Sequence, residues 1–128
     1  MNIKLKVLPQ TFSIFKVGSL DGIYEDIQKS SFYYITESVD EISVICEKQY
    51  APAETVVDWS FMRFTGSIDD EIVGVVASVT KPLADKGIGV LVNTTYDSGY
   101  FGVQTQYLSR AIDVLNESGL TTSPEVVY

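Results

Sequence analysis

Apolar and polar residues alternate from the start of the chain. Ile3, Leu5 and Val7 share one face of an opening strand that Pro9 stops or bends. Residues 11–17 predict a second strand, with Phe12 and Ile14 set against Phe15 and Val17. Apolar residues on both faces imply burial on both sides. Residues 18–28 are ambiguous. Leu20, Ile23, Tyr24 and Ile27 fall at helical spacing, whereas Gly22 and the short length oppose a helix. Residues 32–35 and 42–46 predict a hairpin about the polar segment 37–41. Pro52 and the lack of periodicity over residues 47–58 predict a linker. Strand character resumes at Trp59-Ser60-Phe61-Met62-Arg63-Phe64 and ends at Gly66.

The clearest helix follows. Ile72, Val75, Val76, Val79 and Leu83 form one apolar stripe. Asp69, Asp70 and Glu71 precede it, where carboxylates cap free N–H groups and complement the helix dipole. Gly87 is placed to end this helix. Pro82 should kink its last turn, because it has no N–H to donate to Ser78. Residues 88–93 and 100–105 predict a second hairpin with Asp97-Ser98-Gly99 as its turn. A last helix carries Leu108, Ala111, Ile112 and Leu115 on one face and stops at Gly119. Residues 120–128 form either a short edge strand or a loose tail.

The pattern occurs twice. Residues 32–44 are shadowed by residues 90–102, each a β-rich run, a polar turn and a second β-rich run, and each follows another strand-like segment (11–17 and 61–67). The second half reads strand, helix, strand, strand, helix, with a possible final strand. The first half reads similarly with a stunted helix. This order predicts an α+β chain of two ferredoxin-like βαββαβ modules, residues 1–58 and 59–128, with antiparallel sheets covered by helices on one face.

Composition narrows the function. The 128 residues suit one compact body or two half-sized modules. A net charge of −8, from 9 basic and 17 acidic residues, repels phosphate backbones and anionic lipids, so neither a nucleic acid nor a membrane is an expected partner. Histidine is absent, which removes the commonest general base and metal ligand. The single cysteine, Cys46, lies in an apolar run without a base beside it and reads as a small buried hydrophobe. No apolar run reaches the length of a membrane span, and the alternating start is unlike a signal peptide, so a reducing cytoplasm is the expected location. No nucleophile–base pair or Gly-rich nucleotide loop appears, so an enzyme is not expected, nor a metal or other cofactor.

Several segments, taken in order, carry a family resemblance over roughly residues 8–119. They are residues 32–43 with Thr36, Asp40, Glu41, Ile42 and Ser43; Gly66-Ser67-Ile68-Asp69 leading to Gly74-Val75; Pro82-Leu83-Ala84 with Gly87-Ile88; and Thr95-Tyr96-Asp97 with Tyr100. In these the chain resembles tandem ACT-domain proteins, the small bacterial branch related to the CASTOR arginine sensors and to the regulatory end of aspartate kinases. The resemblance implies βαββαβ modules used in pairs, which bind small effectors, mostly amino acids, at a module interface, and which assemble as homodimers or larger oligomers. It carries the ligand site onto Gly66, Ser67, Ile68 and Asp69, then Val73 and Gly74, with Asn93, Thr94 and Thr95 on the facing strand. The family often has an acid where this chain has Gly99, and Glu41 keeps that acid in the first half. Asp70 and Val73 stand where the branch more often has an aromatic and a small hydroxyl residue.

The chemistry of such a site is plain. A helix N-terminus offers unpaired N–H groups to a ligand carboxylate, Gly66 permits close approach, and Asp69 accepts from an ammonium. Each residue also has a structural role open to it. Asp69 or Asp70 caps its own helix, and three successive acids oppose an anion unless one turns away. Gly74 costs its helix about 1 kcal/mol against alanine, offset either by a ligand's approach or by tight helix–sheet packing. Thr36, Thr94 and Thr95 bond either a ligand or the turn backbone. Tyr33, Tyr34, Tyr96 and Tyr100 supply aromatic area to a core or an interface. The expectation is therefore a non-catalytic regulatory protein that binds an amino acid. The alternative is a structural or interaction protein of the same fold that has lost its ligand.

Overall fold

A computed structural model describes residues 3–65 and 72–125. In chain order the elements are strands β1 (Lys4–Val7) and β2 (Phe12–Val17), helix α1 (Tyr24–Ile27), strands β3 (Tyr34–Glu37), β4 (Ile42–Glu47) and β5 (Trp59–Phe64), helix α2 (Ile72–Asp85), strands β6 (Leu91–Thr94) and β7 (Gly99–Gln104), helix α3 (Leu108–Glu117) and strand β8 (Thr121–Pro124). One turn of 3-10 helix follows β4 (Lys48–Tyr50) and another follows β7 (Thr105–Tyr107). The fold is mixed α+β. It divides into two compact units, residues 10–59 and residues 1–9 with 60–128.

The unit of residues 10–59 is an antiparallel sheet in the order β3-β4-β2. Ile14 pairs with Ile45, and Tyr34 pairs with Ile45 from the other side. Ile27, Val44 and Cys46 form its buried centre, with Phe15, Val17, Leu20, Ile23, Ile35 and Ile42 packed around them. The ambiguous segment resolves as a single helical turn, preceded by Gly22 at φ 80°. One turn fixes several dihedrals for very few hydrogen bonds, so α1 is held by the burial of Ile27 rather than by its own propensity. Phe12 meets Phe32 edge to face at 5.8 Å.

The other unit runs β5-α2-β6-β7-α3-β8, and β1 inserts between β5 and β8 in a sheet ordered β6-β7-β5-β1-β8. Residues 121–124 of the tail thus form a strand. The expectation of antiparallel sheets is corrected here: β1 is antiparallel to β5 but parallel to β8. The physical reason is the insertion, because β8 meets β1 instead of β5. Val75, Val79 and Leu83 from α2 and Ala111, Val114 and Leu115 from α3 bury in one cluster with Leu5, Met62, Phe64, Phe101 and Val103 of the strands. Each of these Val, Leu, Met and Phe side chains contributes about 1.5–3 kcal/mol of apolar burial. Both helices end as the glycines predict. Gly87 (φ 72°) lets the Ile88 N–H reach the Leu83 carbonyl at 2.9 Å, and Gly119 (φ 94°) lets the Leu120 N–H reach that of Leu115 at 3.0 Å. Helix α2 runs through Pro82 to Asp85.

The strand–hairpin pattern recurs, one residue out of register with the sequence expectation. Tyr34 corresponds to Leu91, Ile42 to Gly99 and Lys48 to Thr105, so Phe32 does not correspond to Val90. The turns agree: the Ser38 N–H donates to the Glu41 carbonyl at 2.8 Å and the Thr95 N–H to the Ser98 carbonyl at 2.9 Å. Glu41 therefore matches Ser98, not Gly99. Run-by-run matching misses this because a slip by one keeps both runs β-rich while exchanging their faces.

Candidate functional site

Of the residues expected to hold a ligand, Gly66, Ser67, Ile68 and Asp69 lie outside the described residues, as do Asp70 and Glu71 with their capping role. Val73 and Gly74 lie in the first turn of α2, and Gly74 is half-buried. Asn93 and Thr94 end β6, where Asn93 pairs with Tyr100 and Thr94 with Gly99. Thr95 opens the turn.

The turn uses its own hydroxyls. Thr95 Oγ1 accepts the Ser98 N–H at 2.9 Å, which is the structural role open to it in the sequence. Ser98 Oγ donates to the Phe64 carbonyl at 2.6 Å. This bond ties the β6–β7 turn to the end of β5, the strand that leads into residues 66–71. Thr94 is exposed. Asn93 differs: its Oδ1 is buried and has no hydrogen-bond partner among the described residues. A buried carbonyl oxygen left unpaired costs about 1–3 kcal/mol, so it marks a place where something else should donate.

The same sheet carries an ion pair at its edge. Arg63 Nη2 donates to Glu125 Oε1 at 2.6 Å. The hydrogen bond to Glu125 raises the Arg63 pKa further, and burial raises that of Tyr100. Both groups keep their neutral-pH charge states, so this corner is structural electrostatics rather than acid–base machinery.

The family model of the ACT domain matches residues 54–117, half of the chain. The chain belongs to the ACT domain family. Among solved structures, protein Atu0741 from Agobacterium tumefaciens is 30% identical, with a TM-score of 0.87 over 100% of this chain and 97% of that one. VC0802 from Vibrio cholerae, described as a protein of unknown function and possible transport protein, has a TM-score of 0.73 at 18% identity, over 87% of this chain and 85% of that one. Aspartate kinase from Clostridium acetobutylicum, described as an allosteric enzyme, aligns at 12% identity with a TM-score of 0.62, over 91% of this chain but 34% of its own. The latter two likenesses concern the fold alone. No curated protein matches the chain.

A second polar centre of this ACT-domain protein lies in residues 10–59, in the segment that reads as a linker. Glu47 is 6% exposed at the end of β4. Its carboxylate accepts from the Ser31 N–H and, at 3.0 Å, from Gln49 Nε2. Its own N–H donates to Ser30 Oγ at 2.8 Å, and that hydroxyl donates to the Phe32 carbonyl at 2.6 Å. Burial works against the charge, but the hydrogen bonds from Ser31, Gln49 and Ser30 prevail and hold the Glu47 pKa below the ordinary glutamate value. Gln10, Thr11, Glu47, Lys48, Pro52 and Glu54 are among the residues lining a cleft of about 710 Å³ beside it. The sequence does hold a signal for this centre: the dipeptide Gln49-Tyr50 recurs as Gln106-Tyr107 after the second hairpin. Cys46, next in the chain, is fully buried, and burial pushes its thiol up to about 11. Among the described residues, no group of three or more His, Cys, Asp or Glu side chains is placed to hold a metal ion. Among them also, no helix is long and apolar enough to cross a membrane.

Proposed function

We propose that this chain is a non-catalytic regulatory protein that binds an amino acid at an interface of its ACT module. The family supports a regulatory, small-molecule-binding role. The single observation that carries the finer reading is Asn93 Oδ1, buried at the end of β6 without a partner among the described residues. A ligand ammonium or amide would satisfy it. In this reading Gly66, Ser67, Ile68 and Asp69, with Val73 and Gly74 of the first turn of α2, take the carboxylate end, while Asn93, Thr94 and Thr95 take the other. The chain then acts as a cytoplasmic, CASTOR-like tandem of two ferredoxin-like modules, assembled as a homodimer or larger oligomer. Its mechanism is linkage: an amino acid shifts the population toward whichever arrangement binds it better.

Calorimetry against the standard amino acids tests this. At least one should bind, and Asn93→Ala should weaken it by about tenfold, the worth of one buried hydrogen bond to a charged group. No heat from any amino acid at millimolar concentration would count against the proposal. A second reading, an interaction protein without a ligand, is favoured by Gly99, which carries no carboxylate. It predicts an oligomer that persists unchanged when every amino acid is absent.

A further inference from the structure

The two 3-10 turns make the same side-chain bond on different chemistry. In one, Gln49 Nε2 donates to Glu47 Oε1 at 3.0 Å; in the other, Gln106 Nε2 donates to Gln104 Oε1 at 2.8 Å. Glu47 and Gln104 are the last residues of β4 and β7, and so occupy corresponding positions. Both turns thus place an acceptor oxygen there, and in one of them a neutral amide supplies it. The negative charge at position 47 has no counterpart in the other turn.

That charge is not neutralised within its unit. The groups that bond to Glu47, the Ser31 amide, the Gln49 side-chain amide and Ser30, are all neutral. The ammonium of the adjacent Lys48 is held instead by Asp58 at 3.0 Å. A second carboxylate, Glu54, lines the same cleft and makes no ion pair among the described residues. Gln10, on the opposite stretch of chain, also lines it, and its Oε1 is buried with no partner among the described residues. The wall between the polar groups is apolar, formed by Ala51, Pro52 and Ala53.

We propose that this cleft is a second small-molecule site, independent of the amino-acid site, that takes an organic ammonium ion. The cation is set against Glu47, its N–H groups are shared with Gln10 Oε1, and its hydrocarbon lies along the Ala51–Pro52–Ala53 wall. The two carboxylates exclude a ligand that carries a carboxylate next to its ammonium. Amines are thereby accepted and amino acids refused. The chain's net charge of −8 raises the local concentration of such cations.

The test is an amide NMR titration of the full chain with butylamine and putrescine, with butyrate and glycine as controls. The Ser31 and Lys48 backbone amides and the Gln49 side-chain amide should shift and saturate with the amines at millimolar concentration, and stay still with the controls. Glu47→Gln, the residue the other turn already carries, should keep the native spectrum and weaken amine binding by about tenfold or more. Still amides in the amine titrations, equal shifts from butyrate, or unchanged affinity in Glu47→Gln would each overturn the proposal. Should Glu47→Gln lose the native spectrum, Gln10→Leu decides. Severalfold weaker amine binding in that variant supports the site, and unchanged binding overturns it.

Discussion

The two units build one strand pattern with different amounts of helix. In both, the first strand lies beside the third and the second is at the edge: β2, β4, β3 in one and β5, β7, β6 in the other. The larger unit covers its sheet with helices of 14 and 10 residues. The smaller has a single turn of 4 residues. The helices bring Val75, Val79, Leu83, Ala111, Val114 and Leu115 into one core, whereas Ile27, Val44 and Cys46 are the buried centre of the smaller unit. Where apolar helix faces do not close a unit, polar contacts take a larger share. The Ser30–Glu47–Gln49 network and the bond from Thr55 Oγ1 to Ser13 Oγ at 2.9 Å do this over residues 10–59. The comparison teaches that helix packing is concentrated in one unit and buried charge in the other.

The largest expected effect is on the helical core. Leu83→Ala should lower unfolding free energy by about 2–5 kcal/mol, measured by urea titration. A loss under about 1 kcal/mol would mean that α2 does not carry the larger unit. Next comes close packing. A Cβ on Gly102 would lie 2.6 Å from the Phe61 ring, whereas the corresponding residue of β4 is Ile45. Gly102→Ala should therefore destabilise by about 1–3 kcal/mol through overpacking. A neutral effect in the same titration would show that the Phe61 ring moves freely.

The third prediction concerns pH. The Glu47 pKa is lower folded than unfolded, so its contribution is present above the ordinary glutamate value of 4.5 and is lost as pH falls through the lowered folded value. Glu47→Gln should flatten the acid limb of the stability profile, whereas Gln104→Ala should leave its shape unchanged. The Cys46 thiol works in the alkaline direction. Its pKa rises from 9.0 to about 11 on folding, so stability should decline as pH rises from 9 toward 11, and Cys46→Ala should remove that decline. The smallest effect belongs to the exposed Lys81–Asp85 pair at 3.1 Å on α2. Lys81→Ala should change stability by only about 0.3–0.5 kcal/mol.

Much of this architecture was legible because the pattern is periodic. The stripe of Val75, Val79 and Leu83 and the glycines at 87 and 119 mark α2 and the ends of α2 and α3 in the sequence alone. The hairpins are legible from two β-rich runs about a polar turn. Register was not, because a shift by one residue leaves composition unchanged and is settled only by backbone bonds such as Ser38 N–H to Glu41. Nor was the place of β1, since its antiparallel partner β5 begins more than fifty residues later and local pattern holds no record of such pairing. The candidate site was only partly readable. Asn93 is a candidate through family resemblance, not through its chemistry, because a buried oxygen without a partner among the described residues exists only once the strands are packed. Glu47 was hidden by Pro52 and the aperiodic residues around it, which look like a linker while supplying bonds to Ser13, Ser31 and Asp58.

The measurement that bears most directly on the account is an amide NMR titration of the whole chain with an amino acid that calorimetry shows to bind. The account predicts that the resonances of Gly74, Asn93, Thr94 and Thr95 move together with one affinity, while those of Ser31 and Lys48 stay in place. Movement centred on residues 10–59, with Asn93 undisturbed, would contradict it.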